Sequence, residues 1–248
     1  PLLVIRGHQG AVLSAVFNAA GNRILTASAD GTARLWDAGT GASLKVLSGH
    51  KGTVEAAAFS PSGALAVTAS GDNTARIWNI ETGAVVAVLT GHEGPVYSAV
   101  FHPAGDRVVT SSRDRTARLW DAGTGIQTAV LAGHERTVLS ATFSPSGERI
   151  ITASRDNTVR LWDSRTAALL AVSDGHGAAV HAAVFSSAGD CAVTASEDKT
   201  ARLWDVRLLT SGDRELLDYL HAAKLRFLTD AERRRFFLSE AKTMLEEP

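Results

Sequence analysis

Every tryptophan of the chain stands 42 residues from the next, at Trp36, Trp78, Trp120, Trp162 and Trp204. Gly-His pairs keep the same interval, ending at His8, His50, His92, His134 and His176. One irregular core would not space its largest side chains so evenly, so the chain must consist of similar units that fold alike and stack. Within one period four short runs suit β-strands: Val12 to Phe17, Arg23 to Ser28, Thr32 to Trp36 and Ser43 to Leu47. They are rich in Val, Ile, Leu, Thr and Ala, and turn residues ("NAAGN", "ADGT", "DAGTG") separate them. This spacing predicts an antiparallel sheet of four strands per repeat, and a sheet that small buries both faces only against its neighbours.

Composition bounds the function classes. The 25 Lys and Arg nearly cancel the 26 Asp and Glu, so the overall balance gives no reason for a nucleic-acid or anionic-membrane partner. Cys191 is the only cysteine, which excludes an intrachain disulfide and a zinc site built on several thiolates, and fits a reducing compartment. No run approaches the roughly 18 apolar residues of a spanning helix, and the N-terminus lacks a signal-peptide pattern. These features lead to the expectation of a soluble, cytoplasmic protein with no metal and no cofactor. The chain opens on Pro1 rather than methionine, and it is read as a fragment of something larger.

A Gly-His, a Trp-Asp 28 residues on and a period just above 40 resemble the WD-repeat β-propeller family over residues 1 to about 205. The resemblance implies an all-β propeller of five four-stranded antiparallel blades over 1–205, as an open arc or a closed ring, followed by a helical tail over 206–248. In each blade three strands follow the Gly-His, and the outermost strand follows the Trp-Asp. The resemblance also implies a buried relay of His, Ser or Thr, Asp and Trp. Carried onto this chain, it comprises His8, Thr26 (or Ser28), Asp30 and Trp36; then His50, Thr68, Asp72 and Trp78; then His92, Thr110, Asp114 and Trp120. The last two sets are His134, Thr152, Asp156 and Trp162, and His176, Thr194, Asp198 and Trp204. Such a relay is chemically sound, because a buried indole N–H needs an acceptor, a hydroxyl both accepts and donates, and a carboxylate fixes the imidazole tautomer. The same side chains would also serve a Ser/His/Asp nucleophile. Catalysis, however, needs one exposed nucleophile, not five repeats tied to a core tryptophan. Arg34, Arg76, Arg118, Arg160 and Arg202 recur two residues before each Trp, a regularity that favours packed stems over an anion reader.

If the shared frame is scaffold, function belongs where the copies disagree. The residue after the first strand's Val runs Leu13, Glu55, Tyr97, Leu139, His181, and the residue before the relay Asp runs Ala29, Gly71, Arg113, Arg155, Glu197. With Arg115 and Arg136, the arginines of repeats three and four predict a basic sector beside Tyr97, unless Glu93 and Glu135 neutralise it. Glu55, Tyr97, Arg113, Arg115, Arg136, Leu139, Arg155 and His181 are therefore the candidate partner-binding residues, for a protein or peptide. His102 and His181 are too few for a metal cluster.

After Asp205 the alternation ceases. Leu216, Leu217, Leu220 and Leu225 predict one helix, and Thr229-x-x-Glu232 opens a second whose apolar stripe carries Phe237, Ala241 and Met244 or Leu245. "PLLVIRGH" aligns with "SLKVLSGH", so Pro1 to Ile5 is an outermost strand able to complete blade five and close a ring. Blades of this kind resemble those of seven-membered rings, which turn about 51° each where five must turn about 72°. An open arc or a strained ring is expected, with the tail helices over part of an exposed edge. The resulting reading is a non-catalytic interaction scaffold or sensor, part of a larger, often bacterial, multidomain signalling protein whose upstream domains are possible partners. The alternatives are an anionic-ligand or nucleic-acid binder using the Arg113/Arg155 sector, and a hydrolase at the channel mouth.

Overall fold

The computed structural model describes residues 3–206. Its strands follow the period. β1 (Val12–Phe17), β2 (Arg23–Ser28), β3 (Thr32–Asp37) and β4 (Ser43–Ser48) form the first sheet, and β5 (Val54–Phe59), β6 (Leu65–Ser70), β7 (Ala75–Asn79) and β8 (Val85–Leu89) the second. β9 (Val96–Phe101), β10 (Arg107–Ser112), β11 (Ala117–Asp121) and β12 (Gln127–Leu131) form the third, and β13 (Val138–Phe143), β14 (Arg149–Ser154), β15 (Val159–Asp163) and β16 (Leu169–Ser173) the fourth. The fifth holds β17 (Val180–Phe185), β18 (Cys191–Ser196) and β19 (Ala201–Asp205), three strands among the described residues where four were expected. Each sheet is an antiparallel meander in one register, with the relay threonine opposite the recurring arginine: Thr26 on Arg34, Thr68 on Arg76, Thr110 on Arg118.

The sheets stack in chain order, one face of each blade against the opposite face of the next. Leu25, Ala27, Ala33, Leu35 and Leu47 of blade one meet Val54, Ala57, Ala66 and Trp78 of blade two. The same positions recur as Val109, Ala117, Leu119 and Leu131 against Val138, Ala141, Ile150 and Trp162. Alanines let the backbones approach, while the leucines and the tryptophan fill the space farther out. Across the end carrying the "DAGTG" turns, arginines tie three of the four pairs of neighbouring blades: Arg23 to Glu81 at 2.8 Å, Arg107 to the Ser164 carbonyl at 2.6 Å, and Arg149 to the Val206 carbonyl at 2.8 Å; blade two has Leu65 at this position. His102 is packed rather than solvent-facing. Its Nε2 donates to the Gly147 carbonyl at 3.2 Å and its ring stands edge-on to Phe143.

Turn departures in the sequence do not alter the turns. Where "SRTAA" lacks glycine, Ala167 takes φ 60°, the left-handed conformation of Gly41, Gly83 and Gly125. Asn79, standing for Asp, still accepts the Thr82 amide at 2.9 Å.

The stack is open at both ends among the described residues. Val12 is 52 % exposed although Val54, Val96, Val138 and Val180 are each 0 %, and Leu203 is 75 % exposed although Leu35, Ile77, Leu119 and Leu161 are at most 2 %. These are the two faces that meet at every internal interface. Of the two expected arrangements, the described residues show the open arc, and the strand that Pro1 to Ile5 could have added to blade five is not seen there. The part of that segment described, Leu3 to Ile5, is not a strand. Leu3 lies against Gly41, as Lys45 and Leu47 lie against Gly83, and Ala87 and Leu89 against Gly125. By period it takes the place of the outer strand of a blade preceding blade one. Between this segment and blade one runs a groove of ≈520 Å³ lined by Leu3, Ile5, Val12, Val16 and Phe17. The large side chains already filling four interfaces set the angle between blades, and nothing brings Leu203 round to Val12. Pro1, Leu2 and the two expected tail helices lie outside the described residues.

The exposures give equivalent leucines unequal weight. Leu161→Ala is expected to cost about 2–5 kcal/mol, and Leu203→Ala no more than about 0.5 kcal/mol. Urea unfolding of the two variants measures the contrast; equal losses would mean that Leu203 is covered in solution.

Candidate functional site

The sequence-predicted His, Thr, Asp and Trp of each repeat come together in every blade. The imidazole Nδ1 donates to one Asp oxygen at 2.7–2.9 Å, and the Thr hydroxyl meets Nε2 at 2.7–2.8 Å. The indole N–H reaches the same hydroxyl at 2.8–3.0 Å. With neutral imidazoles, one proton order satisfies the chain: Trp N–H to Thr oxygen, Thr O–H to Nε2, Nδ1–H to Asp. In blade one the hydroxyl is that of Thr26, while Ser28 accepts the Asp30 amide at 3.1 Å.

The carboxylate is held from several sides. The amide after the histidine donates to it at 2.9–3.2 Å, and a further threonine hydroxyl does so at 2.6–2.7 Å. Those threonines, Thr32, Thr74, Thr116, Thr158 and Thr200, were missed by the sequence reasoning, although Asp-x-Thr recurs in all five repeats. For Asp30, Asp72, Asp114 and Asp156 burial is the largest single influence and opposes ionisation, yet the combined hydrogen bonds hold each well below the usual carboxylate range. For Asp198 the Thr200 hydroxyl leads in the same direction. Burial also pushes His50 and His134 down, against the pull of Asp72 and Asp156.

The glycine before each histidine is there because a side chain would not fit. A Cβ on Gly7 would lie 2.8 Å from the Arg34 guanidinium and 2.9 Å from the Trp36 ring, at φ 156°. The recurring arginines thus lie over their own blade's Gly-His and Trp, Arg34 6.0 Å from the indole centre. Chemically the relay is closed. Thr68, Thr110 and Thr152 are fully buried, and each relay hydroxyl is committed to an imidazole and an indole, which leaves none free to attack a substrate.

The family model of the WD domain, G-beta repeat, matches residues 1–37, 41–79, 83–121, 125–163 and 168–205. The chain belongs to the WD40 repeat family. No curated protein matches it. WD40 repeats usually serve as non-catalytic protein-interaction scaffolds.

Leu13, Glu55, Tyr97, Leu139 and His181 each fall at a β-bulge in the first strand of their WD40 blade, skipped by the pairing between Val12 and Ser14 and its equivalents. A bulge residue leaves the ladder and its side chain is re-aimed. The residue before the relay Asp bonds back to the loop after Gly-His, as Arg113 N to the Pro95 carbonyl and Arg155 N to the Thr137 carbonyl, both 2.9 Å. The two variable sets therefore meet at one end of each blade: His181 bonds Glu197 across this gap at 2.9 Å. Burial pushes the Glu55 carboxyl up. Arg113, Arg115, Arg136 and Arg155 are exposed, and among the described residues none is ion-paired, with Glu93 and Glu135 or otherwise.

Asp114→Ala strands His92 without its acceptor and is expected to cost about 1–3 kcal/mol, as is the same change in other blades. Thermal melting reads this, and an unchanged midpoint would remove the relay from the stability account. The pH dependence follows in sign. Depressed carboxylates contribute fully above their unfolded pKa near ~4, and depressed His50 and His134 above theirs near ~6.5, so both contributions fade with acid. The melting temperature is expected to be level above about pH 7, to decline from about pH 6.5 and to fall more steeply below about pH 5.

Proposed function

We propose that the chain is a non-catalytic platform whose partner protein docks on the end of the blades that carries the Gly-His loops, over blades three and four. The observation behind this is that the relay frame is the same in all five blades, while the residues that vary gather at bulges and turns on that one end. A rigid frame presenting variable side chains is the arrangement in which binding residues sit on a scaffold. Tyr97, Leu139 and the arginines supply the aromatic, apolar and guanidinium groups that dominate binding energy at interfaces. The buried relay hydroxyls weigh against a hydrolase. A sensor or scaffold role within a larger signalling protein is consistent with this reading, and the single thiol of Cys191 with a cytoplasmic setting.

The test is a variant carrying Tyr97→Ala, Arg113→Ala, Arg136→Ala and Arg155→Ala together. Crosslinking in cells followed by mass spectrometry is expected to show loss of the proteins joined to this end of the blades, at an unchanged melting temperature. The same proteins crosslinked to the same degree would overturn the assignment of this surface.

A further inference from the structure

The partner's chemistry can be read from where the unpaired arginines stand. Arg115 occupies the position held by Gly31, Asn73, Asn157 and Lys199 in the other blades, and it takes φ 72° there. That conformation is left-handed and disfavours a branched or long side chain without local compensation. Arg136 occupies the position of Gly10, Gly52 and Gly94, with Ala178 in the fifth blade. At Gly10 and Gly52 a Cβ would lie 2.7 Å and 2.9 Å from the relay Asp amide. Arg113 and Arg155 stand where other blades place Ala29, Gly71 and Glu197.

Arg115 thus takes a backbone conformation better suited to glycine, Arg136 stands where three other blades have glycine, and among the described residues none of the four arginines is ion-paired. Three other arginines are ion-paired among the described residues: Arg23 with Glu81, Arg107 with Asp106 (and with the Ser164 carbonyl), and Arg118 with Asp114 (and with Gln127). A residue that breaks a local rule and gains no internal ion pair in return points to something outside the folded chain. Tyr97 and Leu139 stand at bulges in the same two blades, whose first strands are tied by the Ala141 amide bonding the Ser98 hydroxyl at 3.2 Å.

We propose that the rim of blades three and four takes an acidic, extended segment of a partner protein, its carboxylates on Arg113, Arg115, Arg136 and Arg155 and an apolar side chain between them on Tyr97 and Leu139. This rests on the platform reading above and adds the chemistry of what docks. Guanidinium forks match carboxylates in bidentate geometry, which gives the site its preference for Asp and Glu over neutral residues. A nucleic acid fits less well. Glu93 and Glu135 are exposed beside the relay histidines of the same blades, and Glu55 and Glu197 flank them in blades two and five. The closely spaced phosphates of a nucleic-acid backbone would meet these carboxylates, whereas a peptide carries charge only at chosen residues.

The experiment is a selection from a displayed random-peptide library against the full chain at low salt. It is followed by anisotropy titrations of the enriched peptide, of its Gln/Asn counterpart and of oligothymidylate. Enrichment of acidic sequences with an interspersed apolar residue is expected, with affinity that falls as salt rises. Arg113→Gln and Arg155→Gln are each expected to weaken binding about tenfold. Arg115→Gly is the discriminating variant: it relieves the backbone, so the melting temperature should hold or rise while binding weakens. Enrichment of neutral sequences that still depend on Tyr97 would overturn the acidic partner and leave the platform. Tighter binding of oligothymidylate than of any peptide would replace it with a nucleic-acid site. Failure to enrich anything, together with unchanged crosslinking by the fourfold alanine variant, would overturn both.

Discussion

The hydroxyl of each relay threonine accepts an indole proton and gives its own to an imidazole, and the rest of each blade depends on that exchange. Through it the central strand, the Gly-His loop, the turn carrying the aspartate and the third strand are held as one unit. The aspartate completes the unit by accepting from the histidine ring, from the next backbone amide and from the Asp-x-Thr hydroxyl. A small sheet with alanine-rich faces has little core of its own. Its rigidity comes from a polar network whose donors and acceptors are matched throughout, inside a low-dielectric setting where an unmatched one would be costly. The indole is at once the network's end and the largest apolar group at the interface with the preceding blade, so polar order and hydrophobic packing are coupled through one side chain.

That coupling makes each blade reliable and each end of the stack vulnerable. Inside, every face finds its complement, and Val, Ile and Ala on the central strands are buried on both sides. At the ends the same residue types are left in water: Phe17 is 64 % exposed on blade one, although Phe101 and Phe143 are buried. The segment before His8 softens this by covering Trp36 with Gly7 and its neighbours, so blade one keeps its relay even with an open face. The end faces are those that the internal blades bury against one another. They are distinct from the polar, arginine-bearing end of blades three and four.

A frame so uniform makes its exceptions legible. Glycine, asparagine and lysine serve at the left-handed turn position in four blades, and arginine in one. Glycine serves in the loop after Gly-His in three blades, and arginine in one. Both exceptions fall in the two adjacent blades that also carry Tyr97, Leu139, Arg113 and Arg155. The bulge explains how side chains of a first strand come to face outward at all, since regular pairing would have returned them to the faces of the sheet.

The period, the strand positions, the WD40 family and the relay's His, Thr, Asp and Trp were legible in the sequence alone, because each is set by local hydrogen bonding or by a residue type that recurs at one interval. Thr32 and its counterparts were equally legible in Asp-x-Thr but went unread. The choice of Thr26 over Ser28 needed the structure, since the two hydroxyls stand two residues apart on one strand and share a face, and only the distance along the strand to His8 and Trp36 tells them apart. Tertiary structure also decided the arginine staples from Arg23, Arg107 and Arg149, which reach acceptors 57 or 58 residues away. It decided the open ends as well. Val12 and Leu203 match their buried counterparts in sequence, and whether such a residue is core or surface depends on which blade stands beside it, a relation that no single repeat encodes.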